Sequence, residues 1–359
     1  MRVFITIQHP AHVHFFRNTI ERLQGANHDV HVFTRDRPMA LALLNSYDID
    51  HEVLTGRFDS RIKMAIGQLM FEAKLFRRVR RLEPNVLAAL GGLEIAHASA
   101  LSDVRTIIFT DTEHATVTNT LAFPFADRIC TPDCYEDDIG AKQVRYPGYH
   151  ELAYLHPNHF EPDPEILSEI GLDPDDRFIV LRLVDWNAVH DVGGSGFTDL
   201  ASVVESFEET GVRVFITAEG ELPDEVERCR LPVEPHRIHQ LLYYADLFIG
   251  EGATMAAESA VLGTPGIFVS TIHLGYTAEL EERYGLVRNF SGPNRQSEAV
   301  EAGIDIVDEY DQELWDRRRE KMLADKIDTT EFILRQLTEE ATYPSGTERA
   351  RTASEPTVR

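Results

Sequence analysis

Short uninterrupted apolar runs alternate along this chain with longer stretches in which apolar residues return every three or four positions. The first kind suits strands buried on both faces, and the second suits amphipathic helices. Residues 3–7 open the series as a strand, 12–23 follow as a helix, and 30–33 are the next strand. The pattern continues with a helix at 39–45, a short strand at 51–54 and a long amphipathic helix at 63–81 that ends in basic residues. Strands at 86–90, 106–109 and 128–130 then alternate with helices at 94–101 and 118–125. This block runs out around 146–154, and a Pro- and acid-rich stretch, 156–176, reads as a linker carrying one short helix. Alternation restarts with strand 178–183, helix 199–209, strand 213–217, helices at 222–229 and 239–245, and strand 247–249. Residues 311–337 read as one long helix or two, and the polar, Pro-containing stretch 343–359 reads as disordered.

Two blocks of repeated strand–helix units predict an α/β protein of two doubly wound, Rossmann-type domains facing a central cleft. The expected division is 1–155, a linker at 156–176, a second domain at 177–310, C-terminal helices at 311–342 and a tail at 343–359. Ligands of such pairs lie beyond the carboxyl ends of the strands, in the cleft.

One segment sharpens this picture. From Phe248 a short apolar strand runs into Gly250-Glu-Gly252, a helix of small residues follows, and Gly263 and Pro265 end it before a second strand at 267–269. The free N–H groups and dipole of such a helix start favour a phosphate at Gly252, Ala253 and Thr254. Glu258, one turn after Thr254 on the same face, suits a neutral diol such as a ribose. Together they point to a nucleoside diphosphate, and the structural alternative is an ordinary crossover in which the glycines serve geometry alone.

Charge narrows the function classes. Sixty Asp and Glu face thirty-five Lys and Arg, only five of them Lys, for a formal charge of −25. An acid excess with Lys nearly absent suits a salt-rich, halophilic and archaeal cytoplasm, where repulsion is screened. Nucleic-acid binding is disfavoured, since no basic stripe spans the chain to meet phosphates. Three Cys with irregular spacing suit a reduced, cytoplasmic setting without disulfides. No apolar run reaches transmembrane length, so the expected membrane relation is at most peripheral docking.

Three further loops carry candidate chemistry. Gln8-His-Pro-Ala-His-Val-His14 follows the first strand, and its imidazoles suit substrate contact at His12, a general base at His14, a His-x-His metal site, or plain capping. Asp111-Thr-Glu-His114 sets Asp111 and Glu113 at a strand end as candidate bases, against the alternative of a helix cap. Gly193, Gly194 and Ser195 precede a helix and form a second phosphate-cradling candidate, with Arg182 on the strand before them. No Gly-x-Ser-x-Gly elbow, Gly-Lys-Ser/Thr loop or Gly-x-Gly-x-x-Gly after the first strand is present, which weighs against serine hydrolysis, P-loop chemistry and hydride transfer.

Gly252-Ala253 with Glu258 and Gly263-x-Pro265 resembles the nucleotide-binding motif of GT-B glycosyltransferases, among them the lipid II N-acetylglucosaminyltransferase, and is similar to that of the UDP-N-acetylglucosamine 2-epimerases. The resemblance implies diphosphate binding at Gly252, Ala253 and Thr254 and ribose binding at Glu258. Gly193-Gly-Ser-Gly196 is similar to the transferase loop that opens the C-terminal domain. Over about residues 1–340 the chain is also similar to an uncharacterised, largely archaeal family labelled domain of unknown function 354. The marks are His9-Pro-x-His-Val-His-Phe-Phe16, Asp111-Thr-Glu-His114 and Gly148-Tyr-x-Glu-Leu-Ala-Tyr154. Glu251 departs from the epimerase pattern by setting an acid beside the expected diphosphate. The implied activity is glycosyl transfer from a UDP-sugar in surface-glycan or glycolipid assembly, with no cofactor and no metal. Epimerisation of a UDP-N-acetylhexosamine, a metal-dependent hydrolase and a non-catalytic nucleotide-sugar-binding protein are the alternatives. The acceptor and the oligomeric state stay open at this stage.

Overall fold

A computed structural model of the chain describes residues 1–57, 61–100, 102, 104–183, 199–218 and 220–339. Gly193, Gly194 and Ser195, and the stretch 343–359, lie outside the described residues. The first seven strands are β1 (Arg2–Ile7), β2 (Asp29–Arg35), β3 (His51–Thr55), β4 (Val86–Leu90), β5 (Arg105–Phe109), β6 (Arg128–Pro132) and β7 (Gln143–Tyr146). They form one parallel sheet in the order β3-β2-β1-β4-β5-β6-β7. The order reverses between β1 and β4, which opens a crevice at their carboxyl ends.

Strand alternation sorts the helices into two layers. Val3, Ile5, Val86, Ala88 and Ile107 face α1 (Pro10–Gly25) and α2 (Pro38–Ser46). Phe4, Leu87, Ala89, Ile108 and Ile129 face the other way, into α3 (Arg61–Leu82), α4 (Leu93–Ala100) and α5 (Thr116–Ala122). Helix α1 starts two residues earlier than its apolar spacing suggests. Pro10 occupies its first turn, and the His9 side chain caps it by accepting the Ala11 N–H.

The second sheet is built from β8 (Phe178–Leu183), β9 (Arg213–Ala218), β10 (Leu247–Gly250), β11 (Gly266–Val269) and β12 (Val287–Phe290). It too is parallel, in the order β12-β11-β10-β8-β9, with its reversal between β8 and β10. Its helices are α6 (Glu165–Glu169), α7 (Leu200–Glu208), α8 (Ile238–Tyr244), α9 (Ala253–Leu262), α10 (Gly275–Glu279) and α11 (Arg295–Asp308). Gly263 closes α9 at φ 99°, a left-handed conformation that glycine adopts without strain. The two parallel-sheet, Rossmann-like units are the expected fold class.

Some elements differ from the sequence pattern. Of the helix expected at 222–229 only a 3₁₀ turn forms, Glu227–Cys229. Pro223 lacks an N–H, and the chain is drawn back to the sheet where the Leu231 N–H donates to the Ile216 carbonyl at 2.9 Å. The strands β7 and β12 and the helices α10 and α11 have no counterpart in the pattern read above.

Residues 312–338 form two helices, α12 (Gln312–Asp325) and α13 (Thr329–Thr338). The break follows from Asp328, whose carboxylate accepts the N–H groups of Thr330 and Glu331 and starts a new helix. Helix α12 packs on α9, and α13 returns to lie along α1. Thr329 and Thr330 donate to the carbonyls of Tyr149 and Ala153 at 2.7 and 2.6 Å.

The units meet closely at Gly275. A Cβ there would overlap the Cys134 carbonyl oxygen and lie 2.9 Å from Glu113 Oε1. Gly275→Ala is therefore expected to cost about 1–3 kcal/mol through overpacking of backbone against backbone. A urea midpoint equal to wild type would refute the tight contact.

Candidate active site

Residues that follow β1, β4 and β5 surround a cavity of about 310 Å³ at the crevice of the first sheet. His9 and His12 come from the start of α1, Thr110 and Asp111 from the end of β5, and His150, Glu151 and Tyr154 from the turn after β7. Thr254, in the first turn of α9, closes the cavity from the second unit. The cavity thus spans the cleft between the two sheets.

Its chemistry centres on Asp111 and His150. His150 Nδ1 lies 2.9 Å from Asp111 Oδ2, and the Thr112 hydroxyl donates to Asp111 Oδ1 at 2.9 Å. Burial works against the charge on Asp111, yet His150 and these hydrogen bonds outweigh it and hold the carboxyl below its ordinary range. An ionised Asp111 fixes the proton on Nδ1, so Nε2 of neutral His150 carries a lone pair. Nε2 is buried and has no hydrogen-bond partner. A buried, unpaired nitrogen in a cavity wall is costly unless a ligand meets it.

Two other groups in the wall are shifted toward their neutral forms. Burial, with His9 and His150 adding to it, pulls His12 down to about 3. The Gln8 N–H donates to His12 Nδ1 at 3.3 Å, which leaves the ring proton on Nε2 as a donor. Glu151 is 2% exposed, and burial raises its pKa well above the usual carboxyl range, with Asp111 and Glu258 adding to the rise. The cavity wall therefore combines a buried ring nitrogen without a partner, an imidazole shifted toward its neutral form and a carboxyl shifted the same way.

On the second unit, α9 begins at Gly252, whose backbone is extended, so the N–H groups of Ala253, Thr254 and Met255 have no intrahelical acceptor. Thr254 lies beside the buried Tyr276. Arg182 lies at the carboxyl end of β8 beside the reversal of the second sheet, and its guanidinium donates to the Thr217 hydroxyl at 3.0 Å. Gly250 lets these two strands approach, because a Cβ there would sit 2.7 Å from the Arg182 carbonyl oxygen.

Glu258 is 4% exposed. The Tyr154 hydroxyl donates to its Oε1 at 2.7 Å, and His239 Nε2 lies 2.9 Å from the same oxygen. A ribose would have to be met by Oε2. His14 belongs to this cluster: its ring stacks on Tyr154, meets His239 edge-on with centroids 4.6 Å apart, and takes the Tyr47 hydroxyl at 3.3 Å. Burial, then His239, lowers its pKa well below the ordinary value. His14 and His12 do not converge as a metal pair. Both lie within α1, and residues two apart on a helix point away from each other.

Glu113 is also set apart from Asp111. Its Oε1 accepts the Glu136 N–H at 3.4 Å near Gly275, and burial raises its pKa. His114 is exposed. Among the described residues, one group of potential metal ligands lies close together, Asp133, Cys134 and Glu279. There the Lys326 ammonium stands 2.9 Å from Asp133 and 2.6 Å from Glu279, in the place a cation would take.

His150 and His239 were not singled out from the sequence, and Glu151 and Tyr154 stood there only as parts of the family motif Gly148-Tyr-x-Glu-Leu-Ala-Tyr154, without a role. Glu151 did carry a signal, since it is a lone acid between Tyr149 and Leu152-Ala-Tyr-Leu155, where burial is expected.

A family model described as "Protein of unknown function (DUF354)" matches residues 1–282. The uncharacterized protein MJ0665 of Methanocaldococcus jannaschii is 25% identical over 281 residues, which cover 74% of this chain and 80% of that protein. Similar solved structures include S. aureus MnaA with UDP, at TM-score 0.68 and 11% identity over 96% of this chain and 99% of that one. UDP-GlcNAc 2-epimerase of M. jannaschii with UDP-GlcNAc and UDP is similar at TM-score 0.68 and 13% identity, over 94% of this chain and 99% of that one. Spinosyn rhamnosyltransferase SpnG with spinosyn aglycone is similar at 0.59 and 16%, over 94% of this chain and 100% of that one. These likenesses show a shared GT-B fold.

Proposed function

This chain belongs to the DUF354 family of proteins of unknown function, and on that premise we propose that it transfers the sugar of a UDP-sugar to an acceptor hydroxyl, in surface-glycan or glycolipid assembly. The observation that carries this reading is the Asp111–His150 pair in one cavity with Thr254 of α9. The nucleotide diphosphate sits on the first turn of α9, with Arg182 beside it and Glu258 toward the ribose. Gly193, Gly194 and Ser195 complete the donor side by resemblance. His150 Nε2 takes the proton of the acceptor hydroxyl, and Asp111 keeps the ring oriented and balances its charge. The acceptor oxygen bonds to the anomeric carbon, and the bond from that carbon to the diphosphate oxygen breaks. Its electron pair leaves on UDP, whose charge the helix start stabilises.

Epimerisation at carbon 2 of a UDP-N-acetylhexosamine is a second reading, and Glu151 favours it. Removal of the carbon 2 proton with departure of UDP from carbon 1 leaves a carbon–carbon double bond, and return of a proton to the opposite face of carbon 2 with re-addition of UDP at carbon 1 completes the inversion. His150 as the base and Glu151, its carboxyl shifted toward the protonated form, supply such a pair.

Incubation with UDP-N-acetylglucosamine alone in deuterated water separates the two. Deuterium at carbon 2 without any acceptor identifies the epimerase, and UDP release that needs an acceptor identifies the transferase. Donor binding is tested by melting with UDP, which raises the melting temperature of a protein that binds it only when folded. We expect a rise in wild type and a smaller one in Glu258→Ala. Equal rises would place the nucleotide elsewhere, and no rise in either protein would defeat the nucleotide-sugar reading.

A further inference from the structure

The outer helical layer of the first unit carries a surface that the catalytic reading does not use. Met64, Ile66, Leu69 and Met70, in the first half of α3, are 45–67% exposed. Val117 and Leu121 on α5 are 73% and 48% exposed. The helices α3, α4 and α5 lie side by side over one face of the sheet. Isolated exposed apolar residues are unremarkable, but this many on α3 and α5, the two helices that flank α4, mark an interaction surface.

Charge identifies the partner. Helix α3 carries Arg61, Lys63, Lys74, Arg77, Arg78, Arg80 and Arg81 against the single acid Glu72, in a chain whose net charge is −25. Glu72 turns inward, 3.0 Å from His97 of α4. Arg78 pairs with Glu52, and Lys74 donates to the Leu54 carbonyl. Arg77, Arg80 and Arg81 are exposed and continue the apolar face toward the helix end. An exposed face that is apolar over about two turns and basic toward the helix end, with no acid among its exposed residues, is complementary to anionic headgroups over acyl chains. A second copy fits less well. A two-fold pair formed through α3 would set two strongly basic helices together.

We propose that the α3–α5 face docks on an anionic membrane surface. The face adjoins the cavity, since Thr118 and Asn119 of α5 line its wall, so docking brings the Asp111–His150 site to the bilayer. The overall negative charge does not forbid this, because at physiological salt charges more than about 10 Å apart are largely screened and the local patch decides.

Flotation with vesicles tests it, using vesicles of phosphatidylglycerol with phosphatidylcholine and vesicles of phosphatidylcholine alone. Wild type is expected to float with the first and not the second. Ile66→Ser/Leu69→Ser and Arg77→Ser/Arg80→Ser should each lower binding to the mixed vesicles by about tenfold or more. Both variants change exposed side chains, and melting curves matching wild type would show that they fold. Failure of wild type to bind the mixed vesicles would overturn the proposal, as would variants that bind equally well. Sedimentation gives the remaining decision. A wild-type dimer that becomes a monomer in Ile66→Ser/Leu69→Ser would assign the face to a second copy and overturn membrane docking. The test reads lipid binding alone and stands whether or not the transferase reading does.

Discussion

His150→Gln is expected to lower turnover by about 10²–10⁴-fold, the contribution of a positioned general base, while UDP still raises the melting temperature. The substitution removes the one buried ring nitrogen of His150 that has no partner and leaves α9 untouched. Asp111→Asn should produce a loss of similar order by another route. An amide can donate to Nδ1, which puts the ring proton on Nε2 and turns the base into a donor. Asp111 is held below the ordinary carboxyl range, so wild-type activity should lose this carboxylate only under more acid conditions than a free aspartate would. Glu151 is shifted upward, so any step using it as an acid should fail as pH rises through its folded value. Glu151→Gln cannot give up that proton, so it should lower turnover and remove the alkaline limb. A His150→Gln protein with wild-type turnover would remove the assigned base, whatever the sugar.

Lys326→Met is the substitution expected to destabilise most, by about 2–3 kcal/mol, because it takes the counter-charge from the half-buried Glu279 carboxylate and from the more exposed Asp133. The Lys326 side chain is fully buried, its ammonium lies over the Tyr149 ring at 4.7 Å, and it joins Asp133 after β6 to Glu279 of α10. Burial opposes the charge on Glu279, but Lys326 and Tyr149 outweigh it and its pKa stays below the usual value. A depressed carboxyl contributes stability above its unfolded pKa, and that stability is lost as pH falls through the folded value. The gap between wild type and Lys326→Met should therefore be widest near neutral pH and shrink on acidification. Urea titrations at both conditions read this directly, and a gap that is small or independent of pH would show that the ammonium is not what holds the interface.

Much of the architecture was legible because parallel strands buried on both faces leave continuous apolar runs, as at β4 and β8. The elements that escaped have weaker patterns. β7 is Gln143-Val-Arg-Tyr146, an edge strand with polar residues at alternate positions, and its identity comes from pairing with β6. The site was legible in part. Asp111 stood out as an acid at a strand end, whereas its partner His150 lies in a 3₁₀ turn 39 residues later, and only the sheet order brings the two together. His14 illustrates the reverse case. Its spacing from His12 suggested a shared role, but the helix begins at Pro10 and turns the ring into a packed cluster with Tyr154 and His239.

The return of α13 to α1 has a consequence for the order in which the molecule is made. Phe332 stacks on Tyr146 with ring centroids 4.4 Å apart, Arg22 pairs with Glu331 at 2.7 Å, and Arg105 reaches the carbonyls of Gln336 and Leu337. During synthesis, the first sheet emerges from the ribosome long before the helix that covers part of its α1 layer. Until that helix arrives, an apolar strip beside Tyr146 is open to water and to other nascent chains, so the protein cannot finish its first half before its second.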